Sequence, residues 1–576
     1  EKSDKVATKL SWDGLLPPHE MWERYVRAMA SRYRGRIAAY ELTNEPNICI
    51  PGEKYAEYVK IAGRAIREAA PGTIVVGGGI TSDFGGSAGA FLKALGESKA
   101  LEVCDALSFH PYSSRQENSA NPARESLQQL RRMVDKYAAG MPLWNTELYY
   151  LWGDKNDTRR IEAGTLPRHL AQRFLLDLGE GVKQSMYLPD TSLLMHELSP
   201  SWQQVGEFVQ TGLVPSMLYP AHSALVHFFA GAVPVERIEW IRGITCYLYR
   251  DHDGKEIAAF WNNTVDRKFK LTLSGEGISL YDLYGNELTV REELPVGRNP
   301  CFLRGSDLRK VVSEAQIVPE LAYSVTGARQ SKVDGKTMLG IGIFNHGTAT
   351  VTLKVRPDFA GTARTVTLPP QAESVVYFPF DGTSYQAQVI ISNGKEFRRW
   401  PVSFKPVSFC RSGEKCVVGE LFSFQPDVTA TALKLSIRVN DAERGVREKG
   451  APWNGDTIEL FFDTCPESML DFPGYTPNVH RLFLSPASLN GLPAALQASS
   501  GVNTAKIRWN ITEDATGYTA ELTVPWSCLG LAEPALLGFD IAVDNTDRFG
   551  KRNQTVWAGG EFNHKDRTHF GTLLKE

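Results

Sequence analysis

The sequence predicts one α/β domain with a parallel sheet, followed by three β-sandwich domains. Three observations point there. From residue 19 to about 230, helical and strand patterns alternate in units of similar length, as in a parallel sheet covered by helices. Beyond residue 233 the helical pattern gives way to alternating apolar runs separated by polar turns. The chain has 576 residues, more than one core organises, which points to about three to five domains.

The elements follow in order. "HEMWERYVRAMASRYRG" places apolar residues at helical spacing, and "RIAAYELTNEP" after it has the pattern of a buried strand. "EKYAEYVKIAGRAIREAAPG" is a helix closed by Pro-Gly and leads into the strand "TIVVGGG". Two more units run from "AGAFLKALGESKALEVC" to "DALSFHPY" and from "ARESLQQLRRMVDKYAAG" to "MPLWNTELYY". A last pair joins "RHLAQRFLLDLGEG" to "KQSMYLPD", and the helical "YPAHSALVHFFAGA" closes the domain at 232. "RGITCYLYRDHDGKEIAAFWNNT" is a hairpin pattern with an Asp-Gly turn, and it opens a small sandwich over 233–308. A second β-rich block covers 309–404, with "TMLGIGIFNHGTATVTLKV"; a third covers 405–576, with "ALKLSIRVND" and "LLGFDIAVDN".

Composition limits the partners. Lys and Arg number 63 against 66 Asp and Glu, a balance that argues against nucleic acid. No apolar run reaches 18 residues, so no membrane span is expected. The eight cysteines form no CxxC pair and no Cys/His cluster at zinc spacing, so a structural metal site of that kind is not expected. Only Cys410 and Cys416, in "FCRSGEKC", are close enough to suggest a local disulfide. The chain begins "EKSDKVATKL", without Met or an apolar signal segment, and the expectation is that processing or truncation removed the true start.

Two predicted strands end in the same chemistry. Tyr40–Thr43 leads to Asn44-Glu45-Pro46, and Pro142–Thr146 leads to Glu147. In a parallel sheet closed into a barrel every strand C-terminus opens on one face, so the two glutamates would meet. Such a pair suits glycosidic cleavage, where one carboxyl protonates the leaving oxygen and the other, ionised, attacks the anomeric carbon. Between them, "SFHPY" brings His110 and Tyr112 to another strand tip.

The order "ELTNEP", "SFHPY", "WNTEL" resembles the retaining (β/α)8 glycoside hydrolases of clan A over residues 10–232, most similar to family 39 and more loosely to family 5. The resemblance implies that Glu45 is the acid/base, Asn44 the ligand of the sugar 2-hydroxyl, and Glu147 the nucleophile. It places His110 and Tyr112 where they would orient the nucleophile or the sugar. Where the clan often presents a Trp on the eighth strand, "SMYLPD" offers Tyr187. Because Glu45 would end the fourth strand, the resemblance implies a partial (β/α)8 TIM barrel holding strands four to eight, N-terminally truncated, with an open edge near residues 37–43.

The block 405–576 resembles a family 9 carbohydrate-binding module through "APWNGDTIELFFD", "GFDIAVDNTDRFGKR" and "VWAGGEFNHKDRTHFGTL". Such modules sandwich a sugar between two Trp rings. Trp453 fits the first; where the second is expected the sequence has "NHKDRTHFG", with Trp557 one position earlier in the pattern, so weak sugar binding is expected. The sandwich at 233–308 resembles the β-domain that often follows such barrels, with Trp261 in its core. The resemblances imply a secreted or periplasmic retaining glycoside hydrolase that acts on a carbohydrate substrate by double displacement and needs no cofactor or metal; the alternative is a non-catalytic glycan-binding protein on a hydrolase-like barrel.

Overall fold

A computed structural model describes residues 16–48, 50–81, 87–111, 120–148, 165–187 and 217–575, the last span interrupted at 264–267, 276, 292, 383, 448–451, 472–473, 477, 500–501, 533, 535, 548–551, 561–562 and 565. The chain forms two compact units, Glu1–Glu320 and Leu321–Glu576.

In the first unit, β1 (Ala39–Glu41), β2 (Ile74–Thr81), β3 (Ala106–His110), β4 (Leu143–Asn145) and β5 (Gln184–Ser185) form a five-stranded sheet in sequential order. Every pairing is parallel, so all the strand C-termini share one edge. Among the described residues, β1 pairs only with β2 and lies at one side of the sheet. Helix α1 (His19–Arg32) precedes β1, and α2 (Gly52–Ala69), α3 (Ser87–Glu97), α4 (Ala120–Asp135), α5 (Leu166–Gly179) and α6 (Leu218–Phe229) connect and follow the strands.

The helices bury what their spacing predicts. In α2, Tyr55, Ala56, Val59, Ala62, Gly63 and Ile66 face inward and pack with Val75, Leu107 and Phe109 of the sheet in one apolar cluster. α5 is held to the sheet by a buried polar knot. Asp177, fully buried, accepts from Arg173 Nε at 2.9 Å, Asn145 Nδ2 at 2.7 Å and Ser185 Oγ at 3.0 Å. A buried ion pair adds little net stability, but removing one partner strands the other charge at a cost of about 3–5 kcal/mol. The knot therefore pins the strand that ends two residues before Glu147.

Val233–Ile238, Ile244–Arg250, Glu256–Asn262, Cys301–Arg304, Ser279–Tyr281 and Glu287–Leu288 build an antiparallel six-stranded sheet. One of its faces packs on α5 and α6 through Tyr247, Tyr249, Trp261 and Phe302. Trp261 is fully buried and donates to Asn263 Oδ1 at 2.7 Å, a core role. The opposing sheet holds Leu294–Val296, Phe269–Thr272 and Gln316–Pro319. Because Gln316–Pro319 pairs with Phe269–Thr272, the seam falls near residue 320 and not at 308; the helix Leu308–Glu314 hides a strand that local pattern assigns to the next block.

The second unit holds two sandwiches. In the first, sheets of three and four strands span Tyr323–Ser403. In the other, a seven-stranded and a five-stranded sheet span Phe409–Leu574 and enclose a core of Phe422, Leu435, Phe462, Trp526 and Phe539. Both sandwiches belong to the same unit: Arg329, 3 % exposed, donates to the carbonyls of Thr568 at 2.9 Å and Phe570 at 2.6 Å.

Candidate active site

Glu45 sits just past β1 in a left-handed backbone conformation, φ 46°. That region costs a non-glycine residue about 1–2 kcal/mol, and the proline that follows disfavours it further. The neighbours hold it there. The Glu45 amide donates to Gly79 O at 3.1 Å, and Asn47 clamps Thr81 by donating to its carbonyl and accepting from its amide, both at 3.0 Å. Backbone strain held by surrounding structure is characteristic of functional sites.

The glycines of β2 make room. The strand register shifts between Gly77 and Ile80; Ser108 Oγ braces the irregularity by donating to Gly77 O at 2.8 Å and accepting from the Gly79 amide at 2.5 Å. Gly79 has φ 36°, and a Cβ there would lie 3.1 Å from His110 Nε2. A Cβ on Gly78 would lie 2.3 Å from the Tyr55 hydroxyl, which accepts from Thr43 Oγ1 at 2.6 Å.

His110 ends β3 with its side chain only 2 % exposed, and carboxylates surround it. Its Nδ1 is 3.1 Å from Glu45 Oε1 and 4.0 Å from Glu147 Oε2, while its Nε2 is 4.0 Å from Glu41 Oε1. Glu45 and Glu147 remain reachable, with side chains 20 % and 24 % exposed. One oxygen of each and a ring nitrogen of His110 lie within 4.8 Å of one another. The Glu45–His110 contact works in either protonation state: an ionised Glu45 accepts from Nδ1–H, and a protonated one donates to Nδ1. The two carboxylates and the imidazole also match the donor set of a divalent cation, the one such group among the described residues.

The structure thus brings Glu45, His110 and Glu147 together, and it adds Glu41, which local reasoning missed. Glu41 accepts from Thr146 Oγ1 at 2.8 Å and links the tip of β1 to the residue before Glu147. Its signal lay in its place, a carboxylate at the end of the same strand pattern that leads to Glu45. Asn44 is exposed beside Glu45, and Tyr112 lies outside the described residues. Tyr187 does not serve as a platform: it is 7 % exposed and packs with Leu148, Leu166 and Leu170. A stacking surface needs a free ring face.

In the C-terminal sandwich, Trp453 is half-buried, its ring centroid 5.6 Å from that of Phe483. Arg481 lies over Phe483 at 4.6 Å and pairs with Glu459 at 2.6 Å; Arg552 pairs with Asp544 at 2.7 Å. Burial and the neighbouring Glu459 push Asp544 above the usual carboxylate range, and Gln554 donates to both carboxylates, at 3.4 and 3.1 Å. This polar row beside an aromatic ring escaped sequence reasoning, although Thr457, Glu459, Phe461 and Asp463 alternate onto one face of "DTIELFFD". Trp557 does not complete a clamp: its ring is 5.2 Å from Phe424 and 6.0 Å from Phe539, packed against the core.

Residues 428–575 match the family model described as carbohydrate family 9 binding domain-like. Among solved structures, the chain is similar to a family 39 glycoside hydrolase from Bacteroides cellulosilyticus WH2 at 17 % identity and TM-score 0.39, over 50 % of this chain and 63 % of that one. A family 44 endoglucanase from Clostridium thermocellum aligns at 13 % identity and TM-score 0.33, over 49 % and 70 %. A family 9 carbohydrate-binding module from Caldicellulosiruptor kristjanssonii, in complex with cellotriose, aligns at 15 % and TM-score 0.23, over 29 % and 92 %. The chain therefore spans less than two thirds of that family 39 enzyme. No curated protein matches the sequence.

Proposed function

We propose that the α/β domain carries the active site of a retaining glycoside hydrolase, with Glu147 as nucleophile and Glu45 as acid/base. One observation carries this reading: carboxylate oxygens of Glu45 and Glu147 lie within 4.8 Å of each other on two strand tips of one sheet edge. Retaining enzymes hold their carboxyls about 5–5.5 Å apart, whereas inverting ones leave about 6.5–9.5 Å for a water.

In this mechanism Glu147 attacks the anomeric carbon while Glu45 protonates the departing oxygen; Glu45 then takes a proton from the water that releases the glycosyl group. His110, within hydrogen-bond reach of Glu45, orients its carboxyl in both half-reactions. Asn44 contacts the sugar 2-hydroxyl, and the C-terminal sandwich offers Trp453 and its polar row to carbohydrate. The match of residues 428–575 to a carbohydrate-binding family supports a glycan substrate and, with it, a secreted or periplasmic location. None of the helices among the described residues is long and apolar enough to cross a membrane.

Azide tests the reading. Glu45→Ala, assayed on an aryl glycoside with a good leaving group, should give a glycosyl azide of retained configuration, and Glu147→Ala one of inverted configuration. Products of the opposite configuration would exchange the two roles. Absence of turnover by the parent on a broad panel of glycosides would favour glycan recognition without cleavage. A chelator should leave the rate unchanged, because acid/base catalysis by this pair needs no metal.

A further inference from the structure

Cys410 and Cys416 sit in opposite sheets of the C-terminal sandwich. Cys410 lies in Phe409–Arg411, paired with Gly571–Leu574 in the seven-stranded sheet; Cys416 lies in Cys416–Val418, paired with Phe422–Val428 in the five-stranded sheet. The chain crosses between the sheets through a tight turn. Gly413 has φ 78°, the Glu414 amide donates to Arg411 O at 3.0 Å, and the Arg411 amide donates to Glu414 Oε2 at 2.9 Å.

Both side chains turn inward onto the same apolar core. Cys410 is fully buried, its Sγ 3.7 Å from Glu414 O and 3.8 Å from Arg411 O, and its thiol lies beside that of Cys416, which is partly exposed. Two thiols in contact, one reachable from solvent, one in each sheet, have the arrangement of an attacking and a resolving cysteine.

We propose that Cys410 and Cys416 are an oxidisable pair that a low-molecular-weight disulfide converts into a staple between the two sheets. The Cys416 thiolate attacks one sulfur of the oxidant, whose S–S bond breaks and releases one thiol. Cys410 then gives up its proton and attacks Cys416 Sγ, expelling the second thiol. Two electrons and two protons pass from the protein to the oxidant, which leaves as two thiols. Burial pushes both protein thiols up, so the exchange is slow at neutral pH. The staple would hold the segment by which the chain enters the sandwich.

The test uses the full chain with oxidised glutathione, followed by alkylation and non-reducing peptide mapping. A peptide linking residues 410 and 416 should appear, vanish on reduction, and be missing from both Cys416→Ser and Cys416→Ala. Closing so short a loop should raise the melting temperature of the unit holding it by about 5 °C, reversibly with reductant. Three results in the parent protein would overturn the proposal: both cysteines still alkylated after oxidation, a lasting glutathione adduct on Cys416 with Cys410 free, or a bond from either to another cysteine.

Discussion

At the scale of single residues, Glu41 separates catalytic geometry from catalytic chemistry. It lies near His110 without hydrogen-bonding it, at 4.0 Å, and its bond is to Thr146, the residue before Glu147. Its contribution under the proposed mechanism is therefore to hold the nucleophile's strand tip. Small misplacements of a reacting group can cost up to about a hundredfold in rate. We expect Glu41→Ala to lower kcat by about ten- to a hundredfold with KM little changed. Glu41→Gln, whose amide oxygen still accepts from Thr146, should retain most of the rate. If the two variants lose equally, the negative charge of Glu41 matters and not its hydrogen bond.

At the scale of elements, α5 carries two groups with opposite needs. Asp177 is buried and paired, while His169, 6 % exposed, is held neutral. Burial pushes His169 down to about 3, and the nearby Arg168 and Arg298 act in the same direction. The unfolded chain binds that proton below about pH 6.5. A depressed histidine pKa contributes stability that is complete above about pH 6.5 and lost as pH falls toward the folded value, because the unfolded state then holds more protons. Between pH 6.5 and 5 the loss should be about 1.6 kcal/mol. Denaturant titrations of the intact chain at these two values should show it, and His169→Gln should reduce the pH slope. An equal slope in the variant would assign the acid sensitivity elsewhere.

At the scale of the whole molecule, the decisive contact of the second unit is Arg329. Although burial lowers its pKa to about 10, its guanidinium stays charged at neutral pH and spans both sandwiches of that unit, ending on Thr568 and Phe570. Tyr377 reinforces the seam with its hydroxyl on Glu467, and Glu373 does so by accepting from the Met469 amide at 3.0 Å. The two sandwiches should therefore unfold together. Arg329→Met keeps the apolar stem but leaves buried carbonyls without donors, which costs about 1–3 kcal/mol. Calorimetry should show one transition for the parent unit and a lowered or divided one for the variant; an unchanged profile would mean that the seam does not couple them.

The order of helices and strands and the convergence of Glu45, His110 and Glu147 were legible in the sequence, because both follow from periodicity. A parallel sheet sends every strand end to one edge, so finding polar residues after strand patterns locates the site before any coordinate is known. What only the tertiary structure decided depends on partners far apart in the chain. Glu41 and Thr146 are 105 residues apart, and Arg329 and Phe570 are 241 apart. Spacing alone shows which residues share a local face and cannot show which faces meet. For the same reason Tyr187 and Trp557, aromatic residues suited to sugar on chemistry alone, are packed against apolar neighbours. The seam also moved to about residue 320, since the pairing of Gln316–Pro319 with Phe269–Thr272 is non-local.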